Sequence, residues 1–183
     1  MFRTNLLRTT VQTGAAAAAG SAASAGVHSR WYRRLRKPGL QPPAAVFPVV
    51  WTVLYADIAV TSAAVLTELQ RQAHPRPQRP GGPRARTIRP PRRTPSEALR
   101  CERGYRRALA LNLALNAGWS WVFFTKHETA LATATAAALT ASTADLARRA
   151  AEARPLHGAA LLPYVGWCGF ATVLSARIHQ LNP

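Results

Sequence analysis

An all-α polytopic membrane protein, a bundle of five transmembrane helices in one domain over residues 1–183, is the fold this sequence predicts. Three observations lead there. Alanine- and leucine-rich stretches almost free of charge alternate with basic loops. Several of these stretches approach the ~20 residues that a membrane helix needs. Proline, glycine and arginine clusters punctuate them. The chain of 183 residues carries 24 Lys plus Arg against 7 Asp plus Glu, a net charge of +17. A charge of that size first suggests nucleic acid. The arginines, however, crowd into residues 30–37, 71–107 and 148–154, which is the pattern of loops between membrane spans. Nucleic acid is therefore disfavoured as the partner, and membrane lipid is favoured.

The first helix is placed at residues 6–27, LLRTTVQTGAAAAAGSAASAGV. Its small residues permit close helix packing. A signal peptide is the rival reading, because a basic start precedes the small residues. Residues 30–43 form a basic loop that turns at Pro38-Gly39. Pro42 and Pro43 suit a helix start, where a missing N–H costs little. The second helix, 44–69, follows, with Pro48 early in it as a candidate bend. Residues 71–98 are a Pro/Arg-rich tract that buries too little apolar area to order itself. It reads as a flexible loop between the second and third helices, able to touch anionic lipid or nucleic acid, or simply a solvated charge block. The third helix, 99–124, enters at Ser96-Glu97 without a full capping box. The fourth, 129–149, is largely alanine and threonine, and the fifth, 156–180, holds LLPYVGWCGFATVL.

Five spans put the termini on opposite sides. Of the 24 basic residues, 17 then share the side of the amino terminus and 7 lie opposite. That bias places the amino terminus and the long loop in the cytoplasm. A bacterial cytoplasmic membrane is the expected location, and a homodimer is compatible with the sequence.

Residues four apart share a helix face. Trp51 and Tyr55 form one aromatic face, Asn112, Asn116 and Trp119 a second, and Pro163, Trp167, Phe170 and Leu174 a third. Three such faces suit either a flat apolar ligand with a few polar edges or plain helix–helix packing. Asp57 falls mid-helix on a different face, where a carboxylate needs a partner or a cavity. Cys101 and Cys168 read as packing residues. The five histidines have no metal-ligand spacing, and no paired carboxylates or nucleophile motif stand out, so the expected catalytic and metal residues are none.

These residues resemble the tryptophan-rich sensory protein / translocator protein family, also called the peripheral-type benzodiazepine receptor family. The first block of likeness is Trp31-Tyr32, Leu35, Lys37-Pro38, Pro42-Pro43, Phe47, Val50-Trp51-Thr52 and Leu54-Tyr55. The second is Leu113, Leu115-Asn116, Trp119-Ser120 and Phe123-Phe124. The third is Pro163-Tyr164, Trp167, Phe170-Ala171, Leu174 and the closing Leu181-Asn182. The order and the spacing within each block fit across residues 31–182.

The resemblance implies five spans with a cavity beneath the first loop. Family members bind porphyrins, and animal members bind cholesterol and drug-like compounds. Some bacterial members are reported to break porphyrin down in light. By that likeness Trp51 and Trp167 would flank a ligand, and Tyr55, Asn116, Trp119 and Ser175 would line or brace the site. Trp31, Tyr32, Lys37 and Pro38 would belong to the covering loop. Asn112 stands for a family glutamine, Trp121 for a proline, Thr133 for an acidic residue and Ser175 for an asparagine.

The expected function is a receptor, sensor or carrier for tetrapyrroles, with porphyrin or heme as ligand and no cofactor required. Lys37 and the arginines at 33, 34 and 36 would attract ligand carboxylates. The alternatives are a light- and oxygen-dependent porphyrin-degrading enzyme, and a structural membrane protein whose basic loop recruits anionic lipid or nucleic acid.

Overall fold

Helix α1, Phe2–Ser24, is only weakly apolar, and its buried face explains how it packs. That face carries Asn5, Thr9, Thr13, Ala16, Gly20 and Ala23 at helical spacing. Thr9 Oγ1 donates to the Ala59 carbonyl at 2.8 Å, and Asn5 Nδ2 donates to Thr67 Oγ1 at 3.0 Å and Gln70 Oε1 at 2.9 Å. Polar side chains buried in a low-dielectric bundle need such partners, and α3, Val46–Ala73, supplies them. In the fold this segment forms a wall of the bundle against α3 and the helix that follows it. The computed structural model describes residues 1–74 and 93–182. The flexible loop expected at 71–98 falls largely on 75–92, outside the described residues. Its flanks are helical, with α3 running on to Ala73.

Between α1 and α3 come a single 3₁₀ turn, Ala25–His28, and the short helix α2, Arg30–Arg34. Ser29 caps α2 by accepting from the Tyr32 N–H at 3.1 Å. Two tight turns follow, with Gln41 N–H on the Pro38 carbonyl and Val46 N–H on the Pro43 carbonyl. Pro48 sits in the first turn of α3. Its missing N–H would have had no partner there, so it need not bend the helix.

Helix α4, Pro95–Ser120, begins one turn before the expected residue 99. The capping box is complete after all. Thr94 Oγ1 accepts from the Glu97 N–H, and Glu97 Oε2 accepts from the Thr94 N–H at 2.7 Å. Pro95 takes the first helical position, where its locked φ is pre-set. Helix α4 is central and touches α1, α3 and α5, the last being Thr129–Ala153. It ends in a π-helical turn, Trp121–Thr125, closed by Lys126 N–H on the Trp121 carbonyl. His127, at φ 61°, then reverses the chain into α5.

Helix α5 keeps its threonines satisfied on its own backbone. Thr133, Thr135, Thr140 and Thr143 each donate to the carbonyl four residues back, at 2.8–3.0 Å. The short α6, Pro155–Ala160, leads into α7, Leu162–Leu181, which packs along α5. Gly158 makes that connection possible. A Cβ there would stand 2.5 Å from Ala151 Cβ and 2.9 Å from the Ala147 carbonyl oxygen.

The fold is all-α. Among the described residues, two helical stretches are long and apolar enough to cross a membrane, Val46–Ala73 and Pro155–Leu181. Helices α1, α4 and α5 do not meet that measure. The asparagine and threonines of α1, the arginines opening α4 and the threonine content of α5 dilute them.

Candidate ligand cavity

Trp51, Tyr55 and Phe47 project from the first half of α3, and Asn116, Trp119 and Phe123 from the far end of α4. Trp167, Leu174 and Ser175 project from α7. These three faces converge on a cavity of about 540 Å³. Ala17, Gly20 and Ser21 of α1 and Ala136 and Leu139 of α5 complete its walls. Tyr32, Gln41 and Ala44, from α2 and the stretch after it, cover it. The rings touch one another around the space. Trp51 lies 5.6 Å from Tyr55, and Trp167 meets Phe47 edge-on at 5.8 Å. Trp119 stacks on Phe123 at 5.4 Å and 11°.

Behind this aromatic lining runs a continuous chain of hydrogen bonds. Tyr55 O–H donates to Asn116 Oδ1 at 2.6 Å, and Asn116 Nδ2 donates to the Tyr164 oxygen at 3.2 Å. Tyr164 O–H donates to Asn112 Oδ1 at 2.8 Å, and Asn112 Nδ2 donates to Thr143 Oγ1 at 3.0 Å. The chain joins α3, α4, α7 and α5. Asn112, Thr143 and Tyr164 are fully buried. In such a place a polar group without a partner is expensive, so this chain fixes helix register.

Three polar atoms on the cavity walls lack a partner among the described residues. They are Trp119 Nε1, Trp167 Nε1 and Gln41 Oε1, all buried. Buried donors and acceptors are normally paired, so each exception calls for an explanation. All three atoms are closed off within the walls, so a ligand would reach them only if those side chains turned.

The cover is held through Tyr32. Its ring packs on Phe124 at 5.6 Å and Phe123 at 6.3 Å. The Lys37 ammonium sits 4.2 Å from the Tyr32 ring centroid, and Gln41 Nε2 donates to its hydroxyl at 3.3 Å. Trp31 does not face the cavity. It packs edge-on to Phe123 and stacks on His127 at 4.1 Å. Pro38 is also absent from the walls and serves the turn to Gln41.

The structure redistributes the predicted faces. Trp51, Tyr55, Asn116, Trp119, Trp167, Leu174 and Ser175 do come together on one cavity. Asn112 does not. One helical turn deeper, it is spent on Tyr164 and Thr143. Pro163 and Phe170 turn to an outer crevice between α3 and α7, lined also by Val50, Val53, Leu54 and Gly166. Asp57 stays outside the cavity. Its Oδ1 accepts from Thr61 Oγ1 at 2.9 Å, while its buried Oδ2 has no partner among the described residues. Gln41 and Phe47 were not singled out from sequence as site residues. Phe47 could have been, since it lies four residues before Trp51. The role of Gln41 depends on how the loop folds and has no local signature.

The architecture and cavity define a class: an all-helical integral membrane protein with an aromatic cavity under a basic loop. The chain matches the TspO/MBR family over residues 9–181 and belongs to it, a family of tetrapyrrole-binding membrane proteins. It is also similar to the uncharacterized membrane protein YtaB of Bacillus subtilis (strain 168). The two are 25% identical over 160 residues, covering 85% of this chain and 83% of that protein.

Proposed function

We propose that this protein is a five-span membrane carrier or sensor that binds a tetrapyrrole such as a porphyrin in the aromatic cavity. The observation that carries the reading is the convergence of Trp51, Trp119 and Trp167 from three helices on one cavity. A volume of about 540 Å³ lies within the range of roughly 300–1,000 Å³ usual for small-molecule sites. Trp51 and Trp167 supply ring surface from opposite helices. Trp119 adds a third ring from the α4 wall, and Gln41 lies at the cover. Tyr55 and Asn116 hold the floor, and Ser175 offers a hydroxyl on the α7 wall. The exposed Arg33, Arg34, Arg36 and Lys37 beside the cover draw in ligand carboxylates. None of these steps requires a bound cofactor. The excess of 17 basic residues over 7 supports an amino terminus on the cytoplasmic side of a bacterial-type membrane.

Fluorescence titration of the purified protein with a dicarboxylic porphyrin tests the reading. Saturable binding is expected. Trp51→Phe and Trp167→Phe should each weaken it roughly three- to tenfold while leaving helical content intact. Unchanged affinity in both variants would overturn the assignment of this cavity.

A further inference from the structure

Asn182, one residue past the end of α7, reads the backbone of Arg36 on both sides. Its Oδ1 accepts from the Arg36 N–H at 2.9 Å, and its Nδ2 donates to the Arg36 carbonyl at 3.0 Å. The same Nδ2 donates to the Ile178 carbonyl at 2.8 Å, which fixes the side chain against its own helix. The two residues lie 146 positions apart. A side-chain amide is suited to this contact because it carries a donor and an acceptor side by side. The contact engages only main-chain atoms of residue 36, so its demand falls on Asn182.

Arg36 belongs to the stretch between α2 and α3 whose Gln41 and Ala44 cover the cavity. The other side-chain fastenings of that stretch described above, Lys37 and Gln41, both run to Tyr32 within the same segment. Asn182 instead ties the cover to α7, the wall helix that carries Trp167, Leu174 and Ser175. It is not itself a cavity-lining residue.

We propose that Asn182 is the latch of the cavity's cover, a positioning residue that sets how fast a ligand passes between water and the cavity without touching that ligand. The proposal rests on the cavity being the ligand site. It competes with a sideways route through the apolar crevice between α3 and α7, where Trp167 lines both the crevice and the cavity. The two routes make opposite demands on Asn182.

The test uses the full chain in lipid nanodiscs, as wild type, Asn182→Ala and Asn182→Asp. The aspartate keeps the acceptor for Arg36 N–H and loses both donors. Amide hydrogen exchange across residues 35–45 is read first, without ligand. Loss of two exposed hydrogen bonds should speed exchange of the Arg36 amide roughly fivefold in Asn182→Ala, with Asn182→Asp in between. Stopped-flow quenching of tryptophan fluorescence by a dicarboxylic porphyrin is read second. Association and dissociation rates should rise together, also roughly fivefold, with Kd held within about twofold and the thermal midpoint unchanged.

Unchanged Arg36 exchange would overturn the latch. A freed Arg36 amide with unchanged ligand rates would also overturn it, in favour of the crevice. A rise in dissociation alone would make Asn182 a contact residue and not a latch. Absence of porphyrin binding by the wild type would strike the ligand assignment instead, and the exchange of Arg36 would still decide whether Asn182 restrains the cover.

Discussion

Tyr164→Phe removes one oxygen from the centre of the bundle and little else. That oxygen accepts from Asn116 Nδ2 at 3.2 Å and donates to Asn112 Oδ1 at 2.8 Å. The ring is fully buried, so water cannot replace it. Asn112 Oδ1 and Asn116 Nδ2 have no other partner among the described residues. Interhelical bonds in membranes average about 0.6 kcal/mol each, which sets a floor near 1.2 kcal/mol for two. Leaving two buried amide groups unpaired costs about 1–3 kcal/mol each by the soluble-protein measure. The expected loss therefore lies between that floor of about 1.2 kcal/mol and about 6 kcal/mol. Tyr55→Phe is the internal control. Its hydroxyl makes a single, partly buried bond to Asn116, so about 1 kcal/mol should go.

Detergent-unfolding curves of the two variants would give both values. Tyr164→Phe should be the more damaging, and adding Asn112→Leu to it should cost less than the two changes summed, because both partners of one bond are then gone. A Tyr164→Phe loss under 0.5 kcal/mol, or a larger loss for Tyr55→Phe, would refute the claim that this hydrogen-bond chain fixes helix register.

Gly158→Ala should destabilise by about 1–3 kcal/mol, since its Cβ would stand 2.5–2.9 Å from atoms of Ala147 and Ala151; thermal unfolding would report it. Thr94→Ala should cost about 1 kcal/mol through the lost cap of α4. Hydrogen bonds from Thr94, then the charges of Arg100 and Arg93, hold the Glu97 carboxyl below its usual range. The sign follows. Its contribution is present above the unfolded value near 4.5 and is lost as pH falls through the lower folded value. The Thr94→Ala penalty should accordingly shrink in acid, and a penalty flat with pH would oppose this cap. Asp57→Asn keeps an acceptor for Thr61 while removing a buried charge-bearing oxygen without a partner. Its thermal midpoint should rise, and a fall would mean that the carboxylate has a partner the present contacts do not include.

The three aromatic blocks were legible because helical spacing fixes faces, and Trp51, Trp119 and Trp167 do meet around one space. Asn112 and Asn116 show where spacing stops helping. They share a face but sit one turn, about 6 Å, apart along the axis. Which of them reaches the cavity is decided by Tyr164 on another helix, and nothing local encodes that. Helix α1 shows the same limit. Its asparagine and threonines look costly in a membrane until their partners on α3, Thr67, Gln70 and the Ala59 carbonyl, are known. The capping box is local, but Thr94, three residues before Glu97, makes it, and Ser96 does not.

The two ends of the molecule are built from different interactions. Every ion pair among the described residues lies at the end where α3 closes and α4 opens, from Arg106–Glu102 and Arg154–Glu68 to the Asp145, Arg148, Arg149 and Glu152 group. Arg93–Glu152 belongs to it too. Buried leucines fill the same half, among them Leu66, Leu69, Leu109 and Leu146. The hydrogen-bond chain through Tyr164 crosses the middle. Beyond it the interior changes to indole and phenyl rings around the cavity. Arg33, Arg34, Arg36 and Lys37 make no ion pair among the described residues, and under the proposed function their charge attracts the ligand's carboxylates. Under the proposed function, stability and binding are thereby separated along the bundle axis. Substitutions at Trp51 or Trp167 should alter affinity with little loss of fold, whereas substitutions at Asn112 or Tyr164 should alter the fold first and affinity as its consequence.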